Sequence, residues 1–276
     1  MTTTSTTTNN HEASRYTFNN DDAEGPHQLR ILADILDEHS TSVLAGTGVA
    51  PGWQCLDVGP GAGTITTWLA ERVRPAGHVT ALDLDPQHLH AAHNVTVRRG
   101  DVRTVELPEN HFDLIHARLV LVHLAERETV LGRLVNALRP GGILVLSEWD
   151  LTRRDWLLRA PTEAAAKAFD TYQSCLIAEL QAHGADPGWA RRAPLAMRDA
   201  GMVEVHVEVH TRLWTGGEPG CLLHVSNANQ LHTALVARGT TADQLHLLHT
   251  AMHDADTLAY CYWMFTSIGR RPHTDH

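Results

Sequence analysis

The sequence predicts an α/β fold: seven strands in a mostly parallel sheet, with helices on both faces and a helical cover. Three observations predict it. Short apolar runs alternate with amphipathic segments from Trp53 onward, the pattern of strands joined by crossover helices. A glycine-rich turn, Leu56-Asp57-Val58-Gly59-Pro60-Gly61-Ala62-Gly63, stands where the first run ends and an amphipathic segment begins. Finally, Met202 to His210 alternates strictly, with Val203, Val205, Val207 and Val209 on one face and Glu204, His206, Glu208 and His210 on the other.

In chain order, Met1 to Asn10 is a Thr/Asn tract, and residues 1–24 are expected to form a flexible tail and lid. A single domain is expected over 25–276. Gly25-Pro26 opens a helix from His27 to His39, with Leu29, Leu32 and Leu36 at helical spacing. The ligand-binding core, 50–150, places strands at Cys55–Val58, Val79–Leu84, Val95–Val97, Phe112–Ala117 and Ile143–Leu146, with helices over Ile65–Val73, from Leu89 onward and over Glu126–Leu138. Pro140-Gly141-Gly142 is expected to stop the last of these helices and turn the chain into the fifth strand. Segments 152–200 and 217–256 read as helical substrate-lid elements, the second as helices at about 219–237 and 241–254. The strand Met202–His210, with one wet face, belongs at a sheet edge. A final strand is expected near Leu258 to Ile268.

Composition narrows the function. With 276 residues the chain suits one elaborated domain. Its 22 Lys and Arg against 32 Asp and Glu leave a formal charge of −10, which argues against a nucleic-acid substrate. No apolar run is long enough to span a bilayer, and the start lacks the pattern of a secretory signal, so the expected location is the cytoplasm. Cys55, Cys175, Cys221 and Cys261 are far apart and read as reduced, buried thiols. Twenty histidines make the net charge strongly pH-dependent between about pH 5 and 7.

The glycine turn carries the chemistry. Glycines there admit a ligand close to the backbone, and the following helix offers free N–H groups. Asp83 ends the second strand, where a carboxylate can accept both hydroxyls of a ribose. Gly59, Gly61 and Gly63 form GxGxG, whereas a dinucleotide fingerprint would need glycine at position 64, which is Thr64. The expected ligand therefore contains a single adenosine.

LDVGPGAG (56 to 63), ALDLDP (81 to 86), GDV (100 to 102), FDLIHARLVLVHL (112 to 124) and LRPGGILVLSE (138 to 148) together resemble the Rossmann-like class I S-adenosylmethionine-dependent methyltransferases. Within them the likeness is to the small-molecule group related to ubiquinone/menaquinone methyltransferases and actinobacterial natural-product tailoring enzymes. The resemblance implies that the last of the seven strands is antiparallel, as in the methyltransferase sheet. It also implies S-adenosylmethionine as methyl donor, S-adenosylhomocysteine as product, and a small, largely apolar acceptor methylated on O, N or C, in natural-product biosynthesis. It implies that Asp57, Gly59 and Gly61 hold the methionine end and Asp83 the ribose. Leu84 would pack on the adenine, Asp101 would accept from its amino group and Val102 would supply a backbone N–H. His116 would pass its backbone near the sulfonium, and Tyr16 would fold over the site. Pro60 departs from the small residue or Cys of many relatives, stiffening the turn.

On the acceptor side, Tyr16, Phe18 and Trp149 are candidate contacts, since aromatic rings attract sulfonium cations. His123 is the candidate general base, weighed against a histidine that only holds its own loop. No metal site is expected: His88, His90 and His93 are expected on a solvated helix, and His206, Glu208 and His210 on the wet face of an edge strand. His246, His249 and His253 share a helical face that could border the pocket. A nicotinamide-dependent oxidoreductase is disfavoured by the glycine spacing. A non-catalytic module that binds S-adenosylmethionine is disfavoured by the long lid segments, and a metal-assisted catechol-type enzyme by the lack of an acidic cluster after the fourth strand. Self-association of the chain is left open.

Overall fold

The computed structural model describes residues 17–18 and 24–273. Tyr16 and most of the expected N-terminal tail lie outside the described residues. The chain enters through α1 (Gly25–Gly46), with Pro26 in its first turn, where the missing N–H costs nothing. Ile31, Ile35, Leu36, Val43 and Leu44 make the buried stripe of α1.

There follow β1 (Gln54–Val58), α2 (Thr64–Val73), β2 (His78–Asp83), β3 (Val95–Arg99), β4 (Phe112–Arg118), α3 (Arg127–Ala137) and β5 (Leu138–Asp150). The remainder is β6 (Leu157–Arg159), α4 (Glu163–Ala182), α5 (Trp189–Asp199), β7 (Val203–His210), β8 (Leu213–Thr215), α6 (Pro219–Gln230), α7 (His232–Ala237), α8 (Ala242–His253), β9 (Leu258–Tyr260) and β10 (Trp263–Arg270).

The main sheet has seven strands in the order β3-β2-β1-β4-β5-β10-β7. Strands β1 to β5 run parallel, and β10 is antiparallel to both β5 and β7. The last strand in sequence is thus the antiparallel one, as expected, but it is wedged inside the sheet, and β7 forms the edge. Strand order reverses between β1 and β4, so the crevice at the carboxyl ends of these strands is the natural ligand position. Two helix caps are specified by sequence. The Thr162 side chain accepts from the N–H of Ala165 at the start of α4, and Thr241 and Gln244 form a reciprocal capping box at the start of α8.

Several expectations are corrected. The segment after β2 is not a helix: residues 84–94 form turns, with one isolated bridge between Ala92 and Val95. Pro86 stands near its start, the Asp83 carboxylate accepts from the N–H of Asp85 at 2.8 Å, and from Pro86 to Asn94 Leu89 is the only large apolar side chain available for a stripe. His88, His90 and His93 therefore share no helix. The final strand is two strands. β9 joins β6 and β8 in a small antiparallel sheet not anticipated from sequence, and β10 starts anew at Trp263. The helix expected over 219–237 breaks at Leu231 into α6 and α7. Pro140-Gly141-Gly142 lies inside β5, which begins directly at the end of α3. The register against β4 slips between Phe112 and Leu114, and Gly141 adopts φ +79.

Candidate functional site

At the carboxyl ends of β1 to β5 lies a cavity of about 330 Å³, roofed by α1, α4 and α6. Its two ends differ in chemistry.

The polar end is built from loops. Gly59, Gly61 and Gly63 all adopt left-handed backbone conformations, with φ of 63, 56 and 76°. A Cβ on Gly59 would stand 2.5 Å from Val120 Cγ2, so the close approach of this turn to the β4 exit requires glycine. Asp83, Leu84 and Asp85 line the wall at the end of β2, and Gly100, Asp101, Val102 and Arg103 at the end of β3. Burial pushes the Asp83 carboxyl up, outweighing the hydrogen bonds it accepts from the backbone of Asp85 and Gly61. Burial would likewise raise Asp101, but the guanidinium and backbone N–H of Arg103 hold it below the usual carboxylate range. Both Asp101 oxygens are engaged by Arg103, at 2.7–3.1 Å. A ligand amino group reaching Asp101 would share a carboxylate already paired. Leu84 is 51 % exposed, an apolar side chain held open at the cavity wall, and Val102 is buried beside it.

The apolar end is built from helices. Leu29, Leu32 and Leu36 of α1, Leu176, Ile177 and Leu180 of α4, and Leu223 of α6 meet Phe18, Trp149, Leu151 and Tyr262. Among these sit a few polar groups. Gln28 Nε2 donates to Asn227 Oδ1 at 2.6 Å, a buried amide pair that lines the wall. The Tyr262 hydroxyl donates to Gln173 Oε1 at 3.0 Å, and the same amide meets His224 Nδ1 at 3.1 Å. His123, in the 3-10 turn Leu121–His123, reaches the cavity between the two ends. Burial, then the charge of Arg127, lowers its pKa to about 4, so its imidazole is neutral at pH 7. The turn is held from below by Glu148 Oε1, which accepts from the N–H groups of Leu121 at 2.8 Å and Val122 at 3.3 Å. Arg118 also reaches the cavity, with its guanidinium held by Asp37 and Ser40 of α1 at 2.9 and 3.0 Å.

The structure thus brings Gly59, Gly61, Asp83, Leu84, Asp101, Val102, Phe18, His123 and Trp149 to one cavity. It does not bring Asp57 or His116 there. His116 stands in the middle of β4, not at its end, and both side chains are buried against each other. The His116 Nδ1 to Asp57 Oδ1 distance is 2.8 Å, and Thr66 Oγ1 donates to Asp57 Oδ2 at 2.6 Å. The pair ties the end of β1 to β4 and to the first turn of α2, which fixes the glycine turn from behind. Tyr16 lies outside the described residues. His246, His249 and His253 are exposed on α8 away from the cavity. No group of three metal-ligating side chains occurs among the described residues.

Sequence reasoning missed Gln28, Asn227, Tyr262 and Leu119. The first two look like ordinary helix polars; the only signal was their position on otherwise apolar helix faces. Leu119 carries a signal of another kind, a non-glycine residue at φ 56 on the cavity wall, its N–H donated to the Ser147 carbonyl at 2.9 Å.

Residues 56–146 match the family described as "Methyltransferase domain". Among curated proteins, the chain is 29 % identical over 136 residues to the ubiquinone/menaquinone biosynthesis C-methyltransferase of Ectopseudomonas mendocina, covering 46 % of this chain and 50 % of that one. It is 31 % identical over 132 residues to an uncharacterized 37.1 kDa protein in transposon TN4556 of Streptomyces fradiae, covering 45 % and 38 %. The chain thus spans half or less of these two relatives. Among solved structures, the phosphoethanolamine N-methyltransferase 2 of Haemonchus contortus aligns with a TM-score of 0.60 at 15 % identity, covering 94 % of this chain and 60 % of that one. The YcgJ protein of Bacillus subtilis aligns at 0.55 and 14 %, covering 86 % and 99 %. At such identities the likeness is one of fold.

Proposed function

We propose that the chain, whose residues 56–146 match the methyltransferase domain family, transfers the methyl group of S-adenosylmethionine to a small, largely apolar acceptor. The observation that carries this reading is one cavity with two unlike ends. A glycine turn in left-handed backbone and the Asp83 carboxylate suit a polar nucleoside at one end, and an apolar helical chamber suits an acceptor at the other.

The cradle suits S-adenosylmethionine on its own geometry. Gly59 lies so close to Val120 that a side chain would fill the turn, and Asp83 faces the cavity as a partly desolvated acceptor for a diol. Leu84 offers an apolar surface for a purine, and the segment at Asp101 and Val102 its edge contacts. Bound there, S-adenosylmethionine supplies a methyl group activated by a positive sulfur. The protein's part is to orient and to exclude water. The α1, α4 and α6 side chains desolvate the acceptor and hold it in line, which can supply roughly 7 to 11 kcal/mol. With a pKa of about 4, His123 is too weak a base to set the rate for a hydroxyl acceptor; it serves as a neutral hydrogen-bonding wall. We place the acceptor among the metabolites of natural-product biosynthesis, a reading supported by the mostly apolar chamber, in which Arg118 is already paired with Asp37.

The test is calorimetry followed by turnover. S-adenosylhomocysteine should bind and NADH should not, and labelled S-adenosylmethionine should methylate members of a library of neutral apolar metabolites. NADH binding without S-adenosylhomocysteine binding would overturn the cofactor reading. Labelling confined to charged amines or carboxylates would overturn the acceptor reading.

A further inference from the structure

Strand β7 closes the main sheet, paired with β10 on one side and, among the described residues, with no strand on the other. Such an edge is a template for another strand, and proteins usually spoil it with like charges, a bulge or a proline. Here a bulge at Glu204-Val205, where Glu204 adopts φ 53, interrupts the start of the strand. From Val205 to His210 the alternation is regular, with His206, Glu208 and His210 on one face, Val205, Val207 and Val209 on the other, and neither a proline nor a run of like charge. Val203 and Val209 are 44 % and 51 % exposed.

We propose that β7 is the interface of a symmetric homodimer, pairing antiparallel with β7 of a second copy about a two-fold axis through Val207. The charge pattern selects this partner and this register. With the axis at Val207, inside the regular stretch, His206 faces Glu208 of the second copy and Glu208 faces its His206. On the valine face, Val205 meets Val209 of the second copy and Val207 meets itself. Moving the axis to His206 sets His206 against itself; moving it to Glu208 opposes glutamate to glutamate and His206 to His210. An axis at Val205 falls in the bulge, and one at Val209 pairs Glu208 with His210 but overlaps only three residues of β7 and sets His206 against Arg212. The Val207 axis gives the longest complementary pairing, and it draws the exposed Val209 into a paired apolar row.

The inner pairs carry the contact across the axis. His206 donates to Glu208 through Nε2–H, which the neutral ring carries only when it gives up the exposed contact of Nδ1–H with the Glu204 carbonyl at 3.1 Å, and which the imidazolium carries alongside it. The outer positions have partners within the chain, Glu204 with Arg270 at 3.2 Å and His210 stacked on His39 of α1. Arg198 Nη2 lies on the Val205 carbonyl at 3.3 Å, an exposed contact that a pairing strand would displace. The cavity opens at the ends of the strands, away from this edge, so the proposal is independent of the activity.

A charge swap tests it. In sedimentation equilibrium the full chain should form a reversible dimer. His206→Glu and Glu208→His should each weaken it about tenfold or more, because each opposes like groups twice across the axis. The double variant H206E/E208H restores every pair and should recover the wild-type constant, a result that a merely structural role of either residue would not give. Val207→Cys should be joined to itself by a short bis-maleimide and Val203→Cys should not, with the four native thiols buried and silent. A wild-type chain that stays monomeric throughout the micromolar range overturns the proposal. So does a dimer indifferent to His206→Glu, a double variant no better than the singles, or cross-linking through position 203 in place of 207.

Discussion

On the β1–β2–β3 side, the cavity wall is shaped by loops: the left-handed glycines Gly59 and Gly61, short turns after the strands, and carboxylates fixed by backbone N–H groups. On the α1–α4–α6 side it is lined by residues of regular helices, where an apolar side chain of similar volume would serve as well. A main-chain site tolerates few sequences and recognises one ligand well. A side-chain site can be rewritten residue by residue without touching the fold, and this is how one scaffold acquires new acceptors.

The sharpest way to break this contrast is at Gly59. Gly59→Ala should weaken S-adenosylmethionine binding by about a hundredfold or more, since the new methyl meets Val120 in a backbone conformation that L-residues resist. An affinity within threefold of wild type would mean that the turn yields and the main chain is not the determinant. Next in size, Asp83→Ala should cost about 1 to 3 kcal/mol of cofactor affinity in calorimetry, the loss of a charge-assisted hydrogen bond, with little change in acceptor KM. On the helical side, Asn227→Asp places a carboxylate against Gln28 in an uncharged wall. It should lower kcat/KM for a neutral acceptor about tenfold and leave cofactor affinity unchanged, a dissociation that sharpens the comparison if it holds.

The smallest expected effect is at His123. Because its imidazole is already neutral above about pH 4, His123→Ala should change turnover less than about threefold and the rate should show no histidine step between pH 5 and 8; a loss nearer a hundredfold would restore it as a base. The same burial predicts a stability effect. His123 and His224, at about 4 and about 3, both have folded values below the ordinary 6.5. Their contribution is therefore present above about pH 6.5 and lost as pH falls toward those values. Glu148, raised to about 8 by burial, runs the other way: its contribution is complete below about pH 4.5 and lost as pH rises through 8. Melting curves of Glu148→Gln should accordingly gain on wild type as pH rises from 5 to 9.

The same contrast decides what could be read in advance. The glycine turn, Asp83 and the parallel strands were legible because main-chain constraints leave few residue choices, and the edge strand because a two-residue period has few other causes. Asp57 misled because a carboxylate inside a ligand-binding motif reads as a contact, when its partners, Thr66 and His116, lie on other elements. Residues 84–94 misled because a histidine-rich segment between strands resembles a surface helix until Pro86 and the lack of an apolar stripe are given weight. Gln28 and Asn227 are 199 positions apart, and nothing local marks two amides as halves of one bond.

If the acceptor is the one proposed, the mostly apolar chamber also has a consequence for the catalytic cycle. Methylation makes a neutral acceptor more apolar, and leucines, a tryptophan and an amide pair offer nothing that repels the added carbon. The product should hold to the wall at least as firmly as its precursor, so departure should set the pace: a rapid first turnover, a slower steady state, and competitive inhibition by the methylated compound against the acceptor.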